Sequence, residues 1–271
     1  MIKNITIGQY IPGESFIHKL DPRSKILISL LFIINLFLVR NFVGYVAVFA
    51  FIVLMVKVAK LSPKYLYKGI RPVFVLILFT AALNLFVTQG TSETLIAQFS
   101  IFKIYREGVY QAMYMTCRLM FLIMGTSVLT LTTSPIELTD GIESLLKPFK
   151  RIGVPAHELA MMMSIALRFI PTLMDETDKI MKAQMARGAD FESRNLIKKA
   201  QSLIPLLVPL FISSFRRAEE LAMAMEARSY RGGEGRTRMK QLKYTKRDGV
   251  AFASFAVLFA ATFALGLTKL I

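Results

Sequence analysis

The chain has 271 residues, 54% of them hydrophobic, with 21 Phe, no Trp and a net charge of +16. Its apolar residues stand in blocks of roughly 15 to 20, close to the length of a membrane crossing, which excludes an ordinary soluble domain. Lys and Arg cluster beside those blocks, the pattern that orients a membrane protein rather than the one that binds nucleic acid.

Residues 1–25 read as a cytoplasmic entry segment carrying Lys3, Lys19, Arg23 and Lys25, and no removable leader is expected there. Leu20-Asp21-Pro22-Arg23-Ser24-Lys25 is a turn feeding a helix, since Asp or Ser can cap and Pro fixes the backbone. Ile26 to Val39 is apolar, Arg40-Asn41 interrupts it, and Phe42 to Val56 is apolar again. Each half is at or below the shortest length that spans, so one long tilted helix competes with a short hairpin. A single crossing would put Lys57, Lys60, Lys64, Lys68 and Arg71 outside, against the positive-inside bias, so the hairpin is expected.

A third span is expected over Pro72 to Thr88, an outer loop over residues 89–108, and a fourth span over Val109 to Leu131. Arg118 lies inside the fourth span, where a charge needs a partner. It either pairs structurally across helices or contacts a moving subunit. Residues 132–247 hold 20 of the 34 Lys and Arg, which assigns them to the cytoplasmic side. Val250 to Leu267 then exits. The expected fold is therefore all-α: a polytopic membrane protein with about five transmembrane helices, N-terminus inside and C-terminus outside. Residues 1–131 form the membrane region, 132–247 the long cytoplasmic helices, and 248–271 the last transmembrane helix.

Within 132–247, Ser134-Pro135-Ile136-Glu137 carries a capping residue, a proline suited to the first helical position and a glutamate three residues on. Gly153-Val154-Pro155 ends that helix and opens the next. From Pro155 to Arg187, apolar residues including Leu159, Met162, Met163, Ala166 and Ile170 fall on one helix face. A second long helix runs from about Leu196 to Arg228. Pro171, Pro205 and Pro209 lie inside these patterns and are the expected bend points. The first helix finishes in Ala186-Arg187-Gly188 and the second in Ala227-Arg228-Ser229. A cation in the last turn complements the helix dipole and Gly188 can cap, so a capping role alone accounts for either end. Two such ends also present guanidinium groups built to bind carboxylates or carbonyls bidentately.

No catalytic, cofactor or metal site is expected. Gly232-Gly233-Glu234-Gly235-Arg236 lacks the Lys-Ser/Thr of a phosphate-binding loop and reads as a flexible turn. His157-Glu158 suggests a zinc protease, but Met161 stands where the second histidine belongs. One cysteine, Cys117, rules out an internal disulfide framework, and two histidines leave little for a metal. A secondary transporter would need polar groups at the midplane, and the spans offer mainly Arg118, Asn35 and Asn84.

Over nearly its whole length the chain resembles the transmembrane T component of energy-coupling factor transporters. The resemblance is carried by Leu20-Asp21-Pro22-Arg23, the Ser134-Pro135 start, Leu167-Arg168-Phe169-Ile170-Pro171, Ala183-Gln184-Met185-Ala186-Arg187-Gly188 and Ala224-Met225-Glu226-Ala227-Arg228. It implies a non-catalytic coupling subunit of an ATP-driven vitamin or metal-ion importer in a prokaryotic plasma membrane. Its implied partners are two ATP-binding cassette ATPase subunits, a substrate-binding membrane subunit and the lipid bilayer, with no nucleic acid. By match, Arg187 and Arg228 dock on the ATPases, and Ser229 departs from the glycine of the first motif. A secondary transporter and a membrane scaffold without ATPase partners are the alternatives.

Overall fold

A computed structural model describes residues 10–39, 41–88, 95–99, 102–189, 191, 196–232 and 241–267. Arg40, the segment 1–9 with Lys3, most of the glycine-rich stretch (233–236) and the chain beyond residue 267 lie outside them. The chain divides into two compact units, residues 8–141 with 242–271, and residues 142–241 with 1–7.

The larger unit is a helical bundle of membrane type. Its helices are α1 (Pro22–Leu38), α2 (Phe42–Ala59), α3 (Pro63–Ile70), α4 (Phe74–Val87), α5 (Arg106–Thr132) and, after the second unit, α9 (Lys246–Leu267). Phe42–Ala59, Pro63–Val87, Arg106–Thr132 and Lys246–Gly266 are long and apolar enough to cross a membrane. With 17 residues, α1 is a shorter fifth, at the lower limit of spanning length. The protein is a multi-pass membrane protein, and exposed side chains such as Phe37, Phe49, Val75 and Phe79 form surface that lipid, not water, can cover.

The break at residues 39–41 turns the chain back on itself. Phe32 of α1 stacks on Phe51 of α2 with ring centroids 6.4 Å apart, which one continuous helix would hold roughly 28 Å apart. The expected hairpin is present. Four helices then share one core: Ile28, Phe32 and Leu36 of α1, Val48 and Ile52 of α2, Phe121 and Val128 of α5, and Phe255 and Leu258 of α9.

One end of this bundle is tied by buried polar contacts. Asp21 caps α1, accepting from the Arg23 amide at 2.9 Å and from the Arg23 guanidinium at 3.0 and 2.9 Å. Its own amide donates to Asp248 Oδ1 at 2.9 Å, and Asp248 Oδ2 accepts from the Thr245 amide and hydroxyl at 2.7 and 2.8 Å. The Arg23 guanidinium also lies 4.1 Å over the Tyr244 ring. Lys25 donates from Nζ to the carbonyls of His18 and Thr132, at 3.1 and 2.9 Å. The starts of α1 and α9 and the end of α5 therefore meet, so α5 ends and α9 begins on the same side of the bundle.

Two expectations are corrected. Residues 89–108 are not all loop: β1 (Leu95–Phe99) and β2 (Phe102–Tyr105) pair as an antiparallel hairpin. Their short aromatic and β-branched runs fit strands, and the hairpin connects antiparallel α4 and α5. The third span also starts earlier than Pro72. The helix begins at Pro63 and passes Pro72 by a 3-10 turn over Arg71–Val73, in which the Phe74 amide bonds to the Arg71 carbonyl. A proline lacks the amide that would continue the α pattern, and a tighter turn accommodates it.

The smaller unit contains the end of α6 (Pro135–Leu146), a 3-10 turn over Lys147–Ile152, α7 (Ala156–Ala186) and α8 (Leu196–Ala227). Ser134 caps α6 by accepting from the Glu137 amide at 3.3 Å. Gly153 at φ +89° closes the 3-10 turn, a left-handed position that favours glycine. Both long helices run unbroken, α7 through Pro171 and α8 through Pro205 and Pro209.

Candidate functional site

The smaller unit is built on α7 and α8 lying antiparallel. Arg217 of α8 pairs with Glu176 of α7 at 2.8 Å. The same register brings the first half of α7, from Met161 to Phe169, beside the end of α8, from Leu221 to Arg228. Arg187 lies 11 residues beyond Glu176 on α7, and Arg228 lies 11 residues beyond Arg217 on α8. At about 1.5 Å per residue, the two arginines stand roughly 16 Å to either side of the ion pair, in opposite directions.

The two helix ends share one geometry. Arg187 is the C-terminal cap of α7, Gly188 follows at φ +89°, and the amides of Gly188 and Ala189 bond to the carbonyls of Met185 and Gln184, each at 3.0 Å. At the end of α8, Ser229 sits at φ +55°, and the amides of Ser229 and Tyr230 bond to Glu226 and Met225, at 2.8 and 3.0 Å. Both are Schellman turns. Serine thus takes the place of glycine at the second end without changing the turn, at a strain of roughly 1–2 kcal/mol for an L-residue in this region.

Ala186, Arg187, Gly188, Ala227, Arg228 and Ser229 are all exposed. Among the described residues neither the Arg187 nor the Arg228 side chain has a hydrogen bond or ion pair within the chain. The backbone turns already satisfy the last carbonyls, so the guanidinium groups are not needed as caps. What remains of the capping reading is the weak attraction between a cation and the helix dipole.

Near its end α8 forms one wall of a groove of about 780 Å³, whose other wall is the first half of α7. Arg168, Arg228 and Arg231 line it together with Ser164, Ser229 and Tyr230, over a floor of apolar side chains. Sequence reasoning gave Arg168 and Arg231 no role and did not pair Glu176 with Arg217. The available signal was the pairing sum: 176 with 217 and 165 with 228 are both consistent with one antiparallel register, visible only once the two helices are assumed to touch.

The polar groups singled out within the spans are engaged inside the chain. Arg118 donates from Nε to Tyr45 Oη at 3.1 Å and from a terminal nitrogen to the Val39 carbonyl at 3.5 Å, where the hairpin breaks α1 from α2. These partners are the ones the structural reading requires. Asn35, fully buried, accepts from the Thr262 hydroxyl at 2.9 Å, and Asn84 donates to the Thr80 carbonyl at 2.8 Å. His157 pairs through Nδ1 with Glu143 Oε1 at 3.1 Å, at the joint between the 3-10 turn and α7. Among the described residues no three His, Cys, Asp or Glu side chains converge as a metal site would require.

Comparison with known proteins places this architecture. The family model described as CbiQ, cobalt transport protein, matches residues 13–239. The energy-coupling factor transporter transmembrane protein EcfT of Clostridium kluyveri is 65% identical over 258 residues, 95% of this chain and 95% of its own length. That of Thermosediminibacter oceani is 60% identical over 257 residues, 95% of this chain and 96% of its own. The Bacillus subtilis protein of the same description is 48% identical over 265 residues, 98% of this chain and 99% of its own.

Proposed function

The chain belongs to the family of energy-coupling factor transporter transmembrane proteins, the T components, and on that premise we propose that it couples two ATP-binding cassette ATPases to a substrate-binding membrane subunit. The assembly imports a micronutrient, a vitamin or a metal ion, across a prokaryotic plasma membrane. This subunit is not itself the catalyst. Its two long helices carry force: each arginine tip, Arg187 on α7 and Arg228 on α8, holds one ATPase. The observation that carries this reading is the pair of exposed guanidinium groups, without a partner among the described residues, on helix ends that the backbone has already capped.

Two further observations support it. Ile204, Leu207, Val208, Phe211, Ile212 and Phe215 are exposed on one face of α8. They follow the i, i+3, i+4, i+7 spacing of an amphipathic helix whose apolar stripe awaits a partner, and an apolar membrane subunit suits it. The segment between Thr132 and Thr245 leaves and rejoins the same end of the bundle, and its excess of Lys and Arg supports a cytoplasmic position for that end. The N-terminus is then inside and the C-terminus outside, with 1–131 and 248–271 as membrane regions and 132–247 as coupling helices. Pro171, Pro205 and Pro209 are the positions at which these helices flex during the cycle.

The test is charge reversal. Arg187→Glu and Arg228→Glu should insert normally, yet each should lose association with an ATPase, and the double variant should lose ATP-driven uptake in proteoliposomes. Removing one partner of a desolvated arginine–carboxylate contact costs roughly 2–5 kcal/mol, so the loss is large. Lysine keeps the charge without the fork and should fall between. A double Glu variant that retains both ATPases with normal uptake would return these residues to a capping role.

A further inference from the structure

The charge on the groove beside the second tip is one-sided. Three guanidinium groups, Arg168 from α7 with Arg228 and Arg231 from the end of α8, line a space of about 780 Å³, and its lining includes no carboxylate. Glu226 faces a separate, smaller hollow next to it, which Arg231 also borders. Beneath the arginines the floor is apolar, with Ile165, Phe169 and Met225. All three arginines are exposed, and none has an ion pair among the described residues. Among the described residues that line it, three like charges share the groove without a carboxylate, an arrangement that an acidic occupant would relieve.

We infer that this groove receives an acidic, amphipathic peptide segment of the ATPase that docks at Arg228, its carboxylates set against Arg168 and Arg231 and an apolar side chain set on the floor. Three features on the surface select this occupant. The charge is complementary to carboxylates. The floor takes an apolar side chain, which a free inorganic anion would leave unused. The groove is also continuous with the tip, since Arg228 and Ser229 belong to both, so a partner that grips the tip already lies at its mouth. The inference rests on the docking role proposed above and makes the second tip reciprocal: α8 inserts its arginine into the ATPase, and the ATPase inserts a segment between α7 and α8. Guanidinium forks suit this, because they hold carboxylates bidentately while their planar faces tolerate an apolar neighbour. Arg187 at the first tip is not among the residues that line this groove.

The experiment uses the full complex of this chain with its ATPases and substrate-binding subunit. A photo-crosslinking phenylalanine analogue placed at Ser164, within the groove, should capture an ATPase peptide containing Asp or Glu, identified by mass spectrometry. Arg168→Glu with Arg231→Glu, leaving Arg228 intact, should weaken ATPase association on the order of tenfold or more, and the Lys pair at the same positions should retain most of it. Changing the captured carboxylate to Arg should restore association to the Glu variant, which a misfolded variant could not show. Wild-type association of the Arg168→Glu, Arg231→Glu chain, in a preparation where Arg228→Glu loses the ATPase, would overturn the groove while leaving the docking reading in place. Retention by Arg228→Glu as well would overturn both. Capture of lipid alone at Ser164, or of no ATPase peptide, would also overturn the inference.

Discussion

Replacing Gly188 by alanine asks whether the helix end sets the direction of Arg187. Gly188 has φ +89°, and a Cβ built there meets nothing within 4 Å, so the substitution meets no steric neighbour and acts through the backbone alone. An L-residue in the left-handed region is disfavoured by about 1–2 kcal/mol. The chain then either carries that strain or unwinds the last turn, releasing the amides of Gly188 and Ala189 from Met185 and Gln184. Unwinding takes Arg187 off the helix axis, and a partner must restore the turn on binding. At 1.4 kcal/mol per tenfold, ATPase association should weaken by about 5- to 30-fold. Membrane insertion should be unchanged. The reverse substitution, Ser229→Gly, relieves strain at the second tip but gives the unfolded chain more freedom, by about 0.4–1 kcal/mol, so its net effect is small and stabilising. The measurement is an equilibrium titration of detergent-purified variants with the ATPases, beside thermal unfolding of each variant alone. Association of Gly188→Ala as tight as that of the natural chain, with Arg187→Glu clearly impaired, would show that the turn does not preset the arginine, and the reasoning from cap geometry would fail.

Other expectations concern the two units separately. A Cβ at Gly125 would overlap the Phe32 ring, so Gly125→Ala should destabilise the packing of α1 on α5 by about 1–3 kcal/mol; a lowered melting temperature in detergent, partly recovered by Phe32→Leu, is the readout. Asp248→Ala strands the buried amide of Asp21, while the exposed Thr245 groups can turn to water, so it should cost about 1–3 kcal/mol; an unchanged melting temperature would argue against the tie between α1 and α9. Glu176 and Arg217 are partly exposed, with side chains 24% and 32% accessible. Their coupling in a double-mutant cycle should therefore be only about 0.5–1 kcal/mol, and the charge-swapped pair should recover it.

What could be read from the chain was what repeats or sits next to itself in sequence. The hairpin at residues 39–41 followed from the length of two apolar blocks and from the lysines after them. The Ser134 cap, the stop at Gly153 and both arginine tips are local patterns, each decided within four or five residues. The missing parts depend on contacts between distant residues. Asp21 and Asp248 are 227 positions apart, and nothing in the Leu20-Asp21-Pro22-Arg23 motif indicates that its aspartate amide needs an acceptor from another helix. Ser229 could be read as a weaker cap because serine resists positive φ, yet the amide bonds of Ser229 and Tyr230 hold it there. The β-hairpin was not legible because strands of five and four residues carry too short a pattern to stand out from a loop.

The two units handle polar groups in opposite ways, and that contrast is the stronger guide to function. In the membrane bundle, Arg118 is engaged by Tyr45 and the Val39 carbonyl, Asn35 accepts from Thr262, and Lys25 donates to two backbone carbonyls. Lipid gives a polar group no alternative partner, so a bundle that only has to stand in the membrane is expected to close such groups on one another. In the smaller unit the pattern is reversed: backbone turns close the helix ends, and Arg168, Arg187, Arg228 and Arg231 are left exposed. Water could satisfy these four wherever they stood. Their placement on the two helix tips and along one groove is what the docking role proposed above calls for.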